Sequence, residues 1–164
     1  MTISQELAKL WTKVKDIEIC MLVTADGEGG LRSRPMATQK KNFEGQFLFL
    51  TDVNSAKIYE IESQRNVNLS YAEPKTNTYI SITGTASVVQ DAELVKSLWN
   101  PLYKAWFPQG PEDPSIVVLQ VNPSRAEYWD GPSSSIIYLL GLAKAAATGD
   151  GFAGEMVEHK KFAI

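Results

Sequence analysis

Thr78-Tyr79-Ile80-Ser81-Ile82-Thr83-Gly84-Thr85-Ala86-Ser87-Val88-Val89 is the longest stretch of this chain in which side-chain character alternates. Successive side chains of a strand point to opposite faces, so Ile80, Ile82, Gly84 and Ala86 share one face and Tyr79, Ser81, Thr83 and Thr85 the other. The pattern predicts a long strand with one side in a core. Gly84 within it predicts a bulge or a close approach of backbones.

Outward from this strand, Asn66 to Tyr71 forms a shorter β-run, separated from it by the turn-forming Glu73-Pro74-Lys75-Thr76-Asn77. Further strands are expected over residues 18–25, 31–41 and 46–51, and from Ile116 to Val121 with an extension to Trp129. Asp26-Gly27-Glu28-Gly29-Gly30 joins the first two of these as a hairpin. Helices are expected over residues 2–15, 54–64, 91–98 and 134–147, before a glycine-rich tail of no clear pattern. In the first helix Leu7, Leu10, Trp11 and Val14 make one apolar stripe, with Thr2 or Ser4 as cap and Glu6 in the first turn. Strands joined by short turns make an antiparallel sheet, and six of them in a chain this size favour a closed or split barrel. The expectation is a mainly β fold, a six-stranded antiparallel split β-barrel with flanking helices. It forms a single domain over residues 1–164 with its core within about 5–130.

The 164 residues suffice to bury a core without a covalent staple, and the single cysteine cannot form an intrachain disulfide. Cys20 sits in Ile19-Cys20-Met21-Leu22-Val23 and reads as a small buried hydrophobe. No apolar run approaches the ~20 residues of a membrane span, and the N-terminus lacks the basic-then-apolar order of a signal peptide. These features lead us to expect a soluble, cytoplasmic protein with no membrane partner. A net charge of −3 disfavours nucleic acid as the main partner, so any bound anion should be small and met by a local cluster. One histidine, His159, and one cysteine make a zinc site of ordinary composition implausible, and no hydrolytic set of residues is present. Any chemistry must come largely from a cofactor. Haem would want an axial ligand that His159 is poorly placed to be.

Two constellations supply positive charge. In Arg32-Ser33-Arg34-Pro35-Met36, Arg32, Arg34 and Met36 project from the same strand face, and two like charges side by side call for an anion or water between them. Pro35 gives no ladder hydrogen bond, so this strand lies at an edge or a bulge. In Thr51-Asp52-Val53-Asn54-Ser55-Ala56-Lys57 a strand ends, a cap-rich turn follows, and Lys57 falls in the first turn of a helix. That turn presents free N–H groups and a partial positive charge, which suits phosphate and makes an unaccompanied lysine unfavourable. Arg32, Arg34 and Lys57 together match a phosphate monoester dianion. Among the aromatics, Trp99, Tyr103 and Trp106 are spaced for one face of a helix, and Trp129 is expected at the barrel rim.

With Phe49-Leu50-Thr51 before Ser55-Ala56-Lys57-Ile58, Asn66-Val67-Asn68-Leu69-Ser70-Tyr71, and Ala126-Glu127-Tyr128-Trp129-Asp130 added to the arginine strand, the order of motifs resembles the FMN-binding split barrels related to pyridoxamine 5′-phosphate oxidase, in particular the general stress protein subfamily. The resemblance covers most of residues 5 to 130. It implies a homodimer with FMN in clefts between subunits. Its implied cofactor set is Arg32, Ser33, Arg34, Pro35 and Met36 along the flavin, and Leu50, Thr51, Ser55 and Lys57 towards the phosphate. Trp106 and Trp129 would approach from the partner. The true oxidase carries an arginine-containing segment after its tryptophan, whereas no arginine follows Arg125 here, which argues against oxidation of pyridoxamine phosphate. What remains is an FMN-dependent oxidoreductase of a small substrate, with a nicotinamide as one potential donor, or a flavin-binding stress protein that stores or senses FMN.

Overall fold

The computed structural model describes residues 4–41, 43–132, 135–149 and 158–164, with only the backbone at 135–138. Helix α1 (Gln5–Val14) starts where the Ser4 hydroxyl accepts a hydrogen bond from the Leu7 N–H at 3.1 Å. Its apolar stripe buries Leu7, Leu10 and Val14, while the ring of Trp11 stacks on Phe43 at 4.0 Å. The strands are β1 (Ile19–Ala25), β2 (Leu31–Ala37), β3 (Phe47–Asp52), β4 (Asn66–Glu73), β5 (Thr78–Val89) and β6 (Ile116–Asp130). Between them lie α2 (Ala56–Ser63), α3 (Ala92–Leu98) and a 3-10 turn at Pro101–Ala105. Helix α4 (Ser135–Thr148) and strand β7 (Glu158–Ala163) follow.

All strand pairings are antiparallel, in the order β2-β1-β4-β5-β6-β3, with β7 also on β6. The fold is thus mainly β and split-barrel-like. The two ends of the path, β2 and β3, are not laddered to each other, but the Gln39 N–H donates to the Leu48 carbonyl at 2.9 Å just beyond β2. The barrel interior holds Leu22, Phe49, Leu69, Ile80, Ile82, Val121 and Tyr128, closed at one end by α1. A second apolar cluster, Leu48, Val95, Leu98, Ile116 and Val118, fixes α3 to the outside of β3 and β6.

The alternation read in β5 holds: Ile80, Ile82 and Ala86 are buried while Tyr79 and Thr85 are exposed. The register slips between Thr83 and Gly84, where β6 carries one extra residue, Ser124. A Cβ on Gly84 would stand 2.3 Å from the Asn122 carbonyl oxygen, so the strands can approach this closely only because position 84 has no side chain. A seventh strand joins the six expected, because the tail that showed no pattern ends in β7. The connecting residues 150–157 lie outside the described residues. The strand β6 of fifteen residues spans the sheet, with β3 on residues 116–121 of one edge and β7 on residues 125–130 of the same edge.

Candidate functional site

Strand β2 presents two different faces. Arg32, Arg34 and Met36 turn inwards with increasing burial, Met36 joining the core, while Leu31, Ser33 and Pro35 stay exposed. Helix α2 packs on β1 and β5 and buries Ile58 and Ile61. Between α2 and β2 sits Glu60, a carboxylate only 8% exposed. Its Oε1 accepts from Arg32 at 2.9 Å and its Oε2 from Arg34 at 2.6 Å, and the Thr24 hydroxyl donates to Oε2 at 2.6 Å. Arg34 in turn donates to the Thr24 oxygen at 2.5 Å. Burial alone would raise the Glu60 carboxyl, but the Thr24 hydrogen bond and the Arg34 and Arg32 charges outweigh it and hold the group below its ordinary range.

One turn earlier on the same face of α2 stands Lys57, whose ammonium donates to the Thr51 hydroxyl at 2.9 Å. Burial, and next the neighbouring charge of Arg34, push Lys57 below the usual lysine range. Ser55 occupies the N-cap position without capping: its hydroxyl is 3.4 Å from the Thr51 hydroxyl and makes no bond to the helix. The first-turn N–H groups of α2 are left without a side-chain cap beside a lysine short of solvent, and an anion would satisfy both.

Lys57, Thr51 and Asp52 form one end of a cavity of about 380 Å³, and the Asp52 charge partly offsets the fall in the Lys57 pKa. Its walls are Ile19, Pro35, Met36, Ala37 and Leu50 on the sheet, with Tyr103, Trp106 and Phe107 from the 3-10 turn and the loop after it. Gln39, 5% exposed, lies in the wall and accepts a hydrogen bond from the Tyr103 hydroxyl at 3.2 Å. An apolar, aromatic slot with a cation at one end suits a flat ring system bearing an anionic tail.

Of the residues singled out from sequence, Pro35, Met36, Leu50, Thr51, Lys57 and Trp106 line this one cavity. Ser55 adjoins it at the start of α2 through Thr51. Arg32 and Arg34, further along the face of β2 that carries Met36, are engaged with Glu60 and do not line the cavity, and Ser33 is exposed. Trp129 stands apart, stacked on His159 at 5.2 Å, and His159 pairs with Glu127. Trp99, Tyr103 and Trp106 do not share one helical face: Trp99 ends α3 in an extended conformation and Asn100-Pro101 starts a separate 3-10 turn. That break sends Trp99 to the α3 cluster and Trp106 to the cavity mouth. Tyr103, named from sequence only as part of the aromatic stripe, also lines the cavity, whereas Glu60, Gln39 and Phe107 were not expected. The available signal was for Glu60 alone, an acid three residues after Lys57 on a helix that follows an arginine strand.

The architecture is a split antiparallel barrel whose apolar cleft ends at a lysine in the first turn of a helix. Residues 5–152 match the family described as pyridoxamine 5′-phosphate oxidase like, and the chain belongs to that family. It is 31% identical to protein bli-3 of Neurospora crassa over 90% of this chain and 75% of that one. The crystal structure of a general stress protein 26 from Jannaschia sp. CCS1 superposes with a TM-score of 0.76 over 98% of this chain and all of that one, at 21% identity, a likeness of fold. The general stress FMN/FAD binding protein of Xanthomonas citri is 29% identical, with a TM-score of 0.68 over 80% of this chain and 93% of that one.

Proposed function

We propose that the protein binds FMN in the cavity between β2, β3 and the 3-10 turn and acts as an FMN-dependent oxidoreductase on a small substrate. The observation that carries this reading is the pairing of an aromatic and aliphatic slot with Lys57, an ammonium held below its ordinary pKa at one end of it. The Xanthomonas citri relative, named for FMN/FAD binding, supports a flavin as the ring. When bound, the flavin supplies the electron exchange, and the chain supplies binding, orientation and electrostatics. Lys57, with Thr51, Ser55 and the uncapped N–H groups of α2, would hold the phosphate. Pro35, Met36 and Leu50 would pack along the ring. Trp106, at the mouth and 71% exposed, would limit access of substrate and water.

The assembly we propose is a homodimer with the cofactor at the subunit interface, in the cytoplasm. Ile19, Met21 and Leu31 lie exposed on the outward side of the β1–β2 hairpin, beside the cavity, and a second copy would cover them. Trp129 would then meet the partner's cofactor.

Protein purified without added ligand should carry FMN in a one-to-one ratio to chains, and sedimentation should give twice the chain mass. Lys57→Ala should weaken FMN binding by about 1.5–3 kcal/mol, the scale of a hydrogen bond to a charged group. An unchanged titration would remove Lys57 from the phosphate site. Anaerobic stopped-flow mixing with NADH or NADPH then tests turnover. Rapid bleaching of the flavin band, reversed by an acceptor, supports the oxidoreductase. No reduction by either donor would favour a protein that stores or senses FMN.

A further inference from the structure

Lys57, Arg34 and Arg32 reach one corner of the fold, yet Lys57 is the cation that lines the cavity. Both arginines are turned towards Glu60, each guanidinium on its own carboxylate oxygen, and Thr24 and the Leu22 carbonyl hold Arg34 further in that direction. Three cations meet two carboxylates here, Glu60 on the arginines and Asp52 in the cavity wall with Lys57, which leaves one positive charge at this corner. Glu60 sits one helical turn from Lys57 on α2, so its charge acts on the same end of the cavity.

We infer that Glu60 is a positioning residue that sets the charge of the anion end of the cavity. It keeps the guanidiniums of Arg32 and Arg34 to itself, so that Lys57 is the side chain offered to a phosphate. The inference rests on the proposed binding of a phosphorylated flavin. Its consequence is a specificity: the preference for FMN over riboflavin, which has the same ring and no phosphate, is held down by Glu60. Glu60→Gln keeps the size and one acceptor oxygen for Arg34 or Thr24, but removes the negative charge and frees a guanidinium.

The test is fluorescence titration of the full chain, stripped of ligand, with FMN and with riboflavin. In Glu60→Gln the FMN-to-riboflavin affinity ratio should rise roughly 3- to 10-fold, the scale of one partly screened charge, with riboflavin binding unchanged. A ratio that stays constant or falls, including an equal loss for both ligands, would mean that Glu60 only supports the fold, and overturns the inference. Should Glu60→Gln alone fail to fold, Arg32→Gln and Arg32→Gln/Glu60→Gln give the same comparison with the ion pair removed from both sides. Adding Glu60→Gln in that background must again raise the ratio, and no rise there is equally fatal. Wild-type protein that binds neither ligand would instead refute the flavin reading itself. A wild type preferring FMN, with a ratio that Glu60→Gln leaves in place, refutes only the role of Glu60.

Discussion

Desolvation acts on Lys57 and on Cys20 in opposite senses, because in each case it disfavours the charged form. At Cys20, 1% exposed among the core side chains, it pushes the thiol up to about 11, which keeps it protonated and inert, as its apolar neighbours in sequence suggested. At Lys57 it favours loss of the proton, with Arg34 adding to the effect. A bound phosphate would stabilise the ammonium, so FMN should bind best while Lys57 is charged. Affinity is then full below the folded-state pKa of Lys57 and declines as pH rises through it, beginning below the ordinary lysine range. Titrations carried from neutral pH up through the ordinary lysine pKa of about 10.4 should show this decline, and Lys57→Arg should shift it to higher pH, since a guanidinium does not lose its proton there. A pH-independent wild-type affinity over that range would count against the role of Lys57. The residue types at this corner were legible because strand alternation and the first turn of a helix are local rules. The partner of the arginines was not, since Glu60 lies 28 residues from Arg32 and only the folded position of α2 brings them together.

Elements differ in how much of themselves they write into sequence. Strand β5 was legible throughout because one whole face enters the core, and its glycine marked the bulge. Gly84→Ala should therefore cost about 2–4 kcal/mol in urea unfolding, since a Cβ 2.3 Å from the Asn122 carbonyl forces β5 and β6 apart. A loss under 1 kcal/mol would mean that the bulge relaxes freely (about one ordinary substitution's worth). Strand β7 was not legible. Of Glu158-His159-Lys160-Lys161-Phe162-Ala163 only Phe162 packs against the core, too thin a pattern for period two. Besides its ladder, Phe162 and the stacking of His159 on Trp129, polar contacts hold β7: Tyr128 donates to Glu158 at 2.6 Å, and Lys160 binds Glu6 of α1 at 2.7 Å. The aromatic trio failed for a related reason, since regular spacing was carried across Asn100-Pro101, where the chain stops being helical.

At the scale of the whole molecule, carboxylates join the helices to the barrel. Glu60 ties α2 to β2, and Asp130 on β6 pairs with Lys13 of α1 and accepts from Thr78 at 2.8 Å. Burial would raise Asp130, but the Lys13 and Thr78 hydrogen bonds prevail and lower it. Both acids thus have folded pKa values below their unfolded ones, so their stabilisation is complete above about pH 4–4.5 and is lost as pH falls from there. The urea midpoint should drop below pH 5, and Asp130→Asn, which cannot titrate, should make that drop shallower. An equally steep drop would show that the acid sensitivity arises elsewhere. Antiparallel pairing and a mainly β fold followed from turn lengths, whereas the place where the barrel splits depends on pairing order, which no local pattern encodes. The long strand β6, laddered by β5 along one side and by β3 and β7 along the other, has few main-chain amides left to solvent. In deuterated buffer those amides should be the last to exchange, at rates set by global opening, while the β2 edge and the 3-10 turn beside the cavity exchange by local opening long before.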